Sequence, residues 1–180
     1  AAGRPHAQGY WMPEERDPHL RSFMQWPVSR QVHPDPVFLD ILQQTIADIA
    51  NSIVEFEPVV MLMDRKHEAR ARRKLSSAVE IWDIPTEDLW CRDSGPLFAF
   101  DGSGGLAVSH IQFNGWGKKQ RHRRDGKIAE KVAERLGVPL VDSGLVGEAG
   151  GVEQDGHGLL LAHESSWVIH NRNPGLSRSQ

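Results

Sequence analysis

Trp90-Cys91-Arg92-Asp93-Ser94-Gly95-Pro96 stands between two apolar, strand-like segments, Val79-Glu80-Ile81-Trp82 before it and Leu97-Phe98-Ala99-Phe100 after it. It places an arginine, a carboxylate and a Gly-Pro turn directly after an aromatic residue. A strand and a turn alone would not need both charges inside an apolar run. Burying an unpaired charge is costly, so charges in such a place are paired or used.

Working outward, the apolar pattern outlines a mixed α/β protein. Ser22 to Gln25 reads as a short strand within an otherwise irregular stretch, 1–35, rich in Pro, His and charge. Asp35-Pro36 reads as a helix start, with Asp as N-cap and Pro in the first turn. Val37, Phe38, Ile41, Leu42, Thr45, Ile46, Ile49 and Ile53 then recur at helical spacing. Val59-Val60-Met61-Leu62-Met63 is a continuous apolar run that fits a buried strand. Asp64 can cap a basic helix over 65–75. Residues 79–84 read as a strand, and 86–89 as a turn or short helix. Residues 97–100 and 106–113 read as a hairpin across Asp101-Gly102-Ser103-Gly104-Gly105. A helix opens at Asp125 or Gly126, runs to Leu136 and is stopped by Gly137. Residues 138–141 and 159–162 are further strands. Ser177 resembles an N-cap close to the last residue, Gln180.

Composition narrows the function. A net charge of −3 gives no basic excess for nucleic acid. The short run Arg121-His122-Arg123-Arg124 reads as a solvated loop. No apolar run approaches the roughly 18–20 residues of a membrane span. Cys91 is the single cysteine, so no internal disulfide is available. His157 and His163 lack close zinc-ligand spacing. There is no Gly-x-Gly-x-x-Gly and no P-loop. No nucleic-acid, membrane, metal or cofactor partner is expected.

Further segments give the opening stretch its context. Met12-Pro13-Glu14 leads into Phe23-Met24-Gln25-Trp26-Pro27. Phe113-Asn114-Gly115-Trp116-Gly117-Lys118-Lys119 follows a strand. Glu148-Ala149-Gly150-Gly151 precedes Asp155-Gly156-His157-Gly158, and Glu164-Ser165-Ser166 and Asn171-Arg172-Asn173-Pro174-Gly175 come next. In this order and at these separations the set resembles the agmatine deiminase and bacterial-type peptidyl-arginine deiminase family of guanidine-modifying enzymes. The resemblance implies a pentein-type α/β propeller of ββαβ blades. It makes 1–180 the N-terminal portion of a single catalytic domain, with two to three blades present and 1–8 an irregular lead-in.

The same resemblance implies chemistry. Asp93 matches the aspartate that binds the substrate guanidinium; the alternative is an ion pair with Arg92 or capping of the Ser94-Gly95 turn. Glu148 matches the glutamate that works with the catalytic histidine, with Glu153 as its competitor if the register slips. The family pattern is Glu-Gly-Gly, whereas this chain has Glu148-Ala149-Gly150-Gly151. Trp90 and Trp116 are candidates to line the pocket by cation–π contact, with core packing as the alternative. Asn114 is a candidate for substrate contact or for loop capping.

Two family groups are missing from these 180 residues. There is no His-x-Asp, and the family's cysteine nucleophile lies in the C-terminal half. Cys91 is a poor substitute, because a neighbouring carboxylate raises a thiol pKa. In a strand, Cys91 and Asp93 would face the same side. The implied activity of the full-length protein is conversion of agmatine to N-carbamoylputrescine and ammonia. The alternatives are peptidyl-arginine deimination and an inactive fragment acting as a binding module. The expected partner is a small guanidino substrate, with a homo-oligomer or a complementing C-terminal half left open. A cytoplasmic location is expected, with secretion as the alternative. The Ala1 start reads as a processed, trimmed or excerpted N-terminus, and the stop at a helix start as the point where a longer protein continues.

Overall fold

A computed structural model describes residues 9–179; the lead-in expected over 1–8 lies outside them. The chain divides into two compact units. One comprises Pro18–Cys91 with Arg123–Asp125, and the other comprises the remaining segments, Arg92–His122 and Gly126–Gln180 among them. No described helix is long and apolar enough to cross a membrane.

In the first unit, β1 (Ser22–Gln25), β2 (Val59–Met63) and β3 (Glu80–Asp83) form a parallel sheet in that order. The central strand β2 is buried at all five positions, as a strand covered on both faces must be. This explains its unbroken apolar run. Between β1 and β2 lies α1 (Pro36–Ile53), capped by Asp35, whose side chain accepts from the Val37 N–H at 2.8 Å. Its buried face is Leu39, Gln43, Ile46, Ala47 and Ala50. Val37, Phe38, Ile41 and Ile49 of the apolar pattern are exposed instead. The helix was legible, but its inward face is set by the two alanines, fully buried in one core cluster with Val59, Met61 and Met63. The basic helix expected over 65–75 is broken into a 3₁₀ turn, Arg65–His67, capped by Asp64, and a single α-turn, α2 (Glu68–Ala71). The chain then leaves the helix as hydrogen-bonded turns, where Arg72 donates to the Ser76 and Val79 carbonyls.

In the second unit, β4 (Leu97–Phe100) and β5 (Leu106–Gln112) form the expected hairpin. Asp101 ties its loop by accepting from the Ser103 and Gly105 N–H groups. After a 3₁₀ turn, α5 (Ile128–Leu136) crosses back and β6 (Leu140–Val146) adds parallel to β5, giving one ββαβ motif. Gly137 ends the helix with φ of 66°. The last strand is longer than the 138–141 expected, and an irregularity in β6 between Asp142 and Val146 shifts the register so that Gln112 meets Val146. A second, two-stranded sheet pairs β7 (Val152–Gln154), which the sequence reading missed, with β8 (Leu160–Ala162). Leu160 and Leu161 are mostly exposed there. The segment after Ser177 is a turn, not the helix start anticipated.

Two short elements carry the motifs. Cys91–Ser94 is one helical turn, α3, so Cys91 and Asp93 do not share a strand face. Gly115–Lys118, α4, is left-handed, with φ of 68°, 56°, 81° and 65° along its length. Left-handed backbone costs a side-chain-bearing residue roughly 1–2 kcal/mol, which here falls on Trp116 and Lys118.

Candidate active site

Asp93 and Glu148 come together across the turn that follows β6. Asp93 lies on α3 and is half-buried, and the Gly150 N–H donates to its carboxylate. Burial pushes its carboxyl above the ordinary 3.8, and the nearby Glu148 charge pushes it further; the Gly150 N–H and Arg92 work against the shift. Arg92 does not neutralise it as a close partner. Its guanidinium pairs with Glu15 and stands 4.0 Å from Glu153. The ion-pair alternative for Asp93 therefore loses its partner to the other side of the turn.

Gly150 in the Glu148-Ala149-Gly150-Gly151 turn and Gly147 just before it are crowded positions, whereas Gly151 is not. A Cβ at Gly150 would collide with Asp93 Oδ1. A Cβ at Gly147 would stand 2.5 Å from the Trp167 ring, and the Trp167 Nε1–H donates to the Gly151 carbonyl at 3.4 Å. The turn is thus held between Asp93 on one side and the Trp167 indole, on α6 (Glu164–Trp167), on the other.

Glu148 is 7% exposed, whereas its competitor Glu153 is an exposed residue of β7. Both Glu148 oxygens are engaged. Arg172 Nη2 donates to Oε1 at 2.6 Å, and Nε to Oε2 at 3.1 Å. Within its motif, Asn171-Arg172-Asn173-Pro174-Gly175, nothing local marks Arg172 for this role. A separation of 24 residues hides such a pair from any local pattern.

The remaining candidates part company. Asn114 serves as a cap: its Oδ1 accepts from the Gly117 N–H at 2.8 Å and its Nδ2 donates to the Asn171 carbonyl at 2.9 Å. This local bonding stabilises the left-handed turn. Trp116 packs edge-on against Phe113 with ring centres 4.9 Å apart. Asn114 and Phe113 line a pocket of about 330 Å³ together with Lys118, Asn171 and Arg172, and Trp116 is not among its lining residues. Trp90 is 51% exposed and belongs to the other unit. Cys91 is unsuited to attack: burial raises its thiol to about 12, with the Asp125 charge adding to the effect. Among the described residues, no three His, Cys, Asp or Glu side chains are grouped to hold a metal ion.

A buried carboxylate cluster in the first unit was not foreseen. Glu87, Asp88 and Asp125 are all nearly inaccessible. Asp125 accepts from the backbone N–H groups of Glu87 at 2.7 Å and Asp88 at 3.1 Å. Glu87 accepts from the Arg124 N–H, and His33 contacts Asp88 at 2.7 Å. Desolvation lifts the Asp125 carboxyl to about 7, against the pull of its two backbone donors.

Comparison with known proteins identifies the family to which this α/β chain belongs. Residues 11–180 match the Porphyromonas-type peptidyl-arginine deiminase family, and the chain belongs to that family. It is 38% identical over 178 residues to a Streptomyces avermitilis protein provisionally named an agmatine deiminase, covering 98% of this chain and 51% of that protein. It is 33% identical over 186 residues to the agmatine deiminase of Stutzerimonas stutzeri, covering 98% and 49%. The solved agmatine deiminase of Enterococcus faecalis superimposes with a TM-score of 0.86 at 25% identity, over 99% of this chain and 50% of that one. The fold is therefore of the pentein α/β type, with no closed barrel in the described residues. The chain spans about half the length of the curated relatives it matches.

Proposed function

We propose that the protein to which these residues belong hydrolyses a C–N bond of a guanidino compound, with agmatine as the first candidate substrate. The supporting observation is the half-buried Asp93 carboxylate held against the Glu148 turn within a family match that runs from residue 11 to 180. A planar guanidinium suits carboxylate oxygens in a fork, and such charge-assisted bonds contribute about 1.5–3 kcal/mol each. In this reading Asp93 binds two guanidinium N–H groups. A cysteine thiolate, supplied by the part of the relatives that these residues do not span, attacks the guanidinium carbon. One nitrogen takes a proton and leaves as ammonia. Water then adds to the thiouronium, the C–S bond breaks, and the ureido product and thiolate are released. Glu148 serves the proton transfers. From agmatine the products are N-carbamoylputrescine and ammonia.

Peptidyl-arginine is the second reading, supported by the description of the matching family. The test is ammonia and ureido release by the protein of the complete reading frame, supplied separately with agmatine, free arginine and an arginine-containing peptide. Turnover of agmatine well above the other two supports the first reading. Preference for the peptide selects the second, and no release from any of them overturns both.

A further inference from the structure

We propose that Arg172 is a positioning residue for Glu148, aiming its carboxylate at the reacting group; this rests on the reading that Glu148 serves guanidine hydrolysis. The two side chains meet as a fork, at 2.6 and 3.1 Å, and each is only 9% exposed. A fork of this kind fixes the plane of the carboxylate as well as its place. It occupies one lone pair on each oxygen and leaves one on each for a proton or a substrate N–H.

The arginine is itself anchored on both flanks. Asn173, 7% exposed, accepts from the Val146 N–H at 2.9 Å and donates to the Val146 and Trp167 carbonyls at 2.8 and 2.9 Å. On the other flank the Asn171 carbonyl accepts from Asn114. Val146 ends β6, two residues before Glu148. The segment carrying the guanidinium is therefore bonded directly to the strand that delivers the carboxylate. An arginine that merely neutralised a buried charge would not need this double anchorage. Asn173 is thus the brace of the arrangement.

The fork separates positioning from charge, because lysine keeps the charge and loses the planar pair of donors. In the protein of the complete reading frame, Arg172→Lys is expected to lower kcat on agmatine by about 10²-fold, as a misplacement near 1 Å does elsewhere. KM should stay within about threefold, since binding of the guanidinium remains with Asp93. In a Glu148→Gln background, Arg172→Lys should cause no further loss. Unchanged kcat in Arg172→Lys, or equal losses in both backgrounds, overturns the proposal. If the lysine variant does not fold, the neutral pair Glu148→Gln/Arg172→Gln carries the test, because it leaves no orphan charge. A kcat equal to that of Glu148→Gln alone supports positioning, and a further loss of about tenfold or more overturns it. A wild-type protein inactive on every guanidino compound removes the functional reading beneath it, and this shows in the wild-type measurement alone.

Discussion

Two groups of buried or half-buried carboxylates occupy this molecule, one in each unit, and they are satisfied in opposite ways. In the first unit, Asp125 is covered and takes two backbone N–H groups from the adjacent residues Glu87 and Asp88. Its bonds turn inward and hold an irregular segment that has no strand or helix of its own. In the second unit, Asp93 receives the Gly150 N–H, sits half-exposed and is pushed toward its neutral form by burial and then by the Glu148 charge. Glu148 in turn has a guanidinium on both oxygens. A covered carboxylate bonded by backbone N–H groups from a distant segment ties that segment into the fold. One kept near a second carboxylate, with a face toward solvent, suits a cationic ligand. Raised carboxyl groups occur in both places, so a perturbed pKa alone does not mark the active site.

The largest expected effect breaks the second group. Asp93→Asn should lower kcat/KM on agmatine by roughly 10²–10³-fold, the loss of about two charge-assisted bonds. Stability should be equal or higher, because burial and the Glu148 charge disfavour ionised Asp93 in the fold. Thermal unfolding and steady-state kinetics on the same preparation check both halves. A near-wild-type rate removes Asp93 from the site. The direction of its shift also predicts an acid limb of kcat/KM above the ordinary aspartate range.

The second effect addresses the first group. Asp125 has a folded value of about 7 against 3.8. A raised carboxyl favours the fold fully below the lower value, and that stability is lost as pH climbs through the upper one. Stability should therefore fall between about pH 4 and pH 7, by roughly 2–4 kcal/mol at most. Denaturant unfolding across that range should show the slope in the wild type, and Asp125→Asn should flatten it. A slope unaffected by the substitution assigns it to other groups.

A smaller effect sharpens the glycine argument. Gly150→Ala should lower kcat/KM by about tenfold through displacement of Asp93, and should cost little more in an Asp93→Asn background. Additive losses in the double variant would mean that the glycine acts elsewhere. The smallest effect concerns the left-handed turn. Lys118→Gly should raise stability by up to about 1 kcal/mol, or roughly 2–4 °C in Tm, by relieving φ of 65°. A lower Tm would mean that the lysine side chain contributes more than its backbone costs.

Much of the fold was legible because local rules govern it. The Asp35 cap, the apolar run of β2, the β4–β5 hairpin and the Gly137 stop each lie within a few residues of their cause. The inward face of α1 was not legible, since Val37, Phe38 and Ile41 are as apolar as the residues it buries. β7 was missed because its three residues, Val152-Glu153-Gln154, carry no alternating pattern of useful length.

By itself, the sequence determined the family, because its motifs stand in the family's order and spacing, and that resemblance is what singles out Asp93 and Glu148 as candidates. It also determined that Cys91 is a poor nucleophile beside carboxylates. Only the tertiary structure decided which partner each carboxylate takes. Arg92 turns to Glu15, Arg172 crosses 24 residues to Glu148, and Asp125 reaches back to the Glu87 backbone. Charges interact over distance in space and not along the chain. The identity of a charged residue is therefore written in sequence, and its pairing only in the fold.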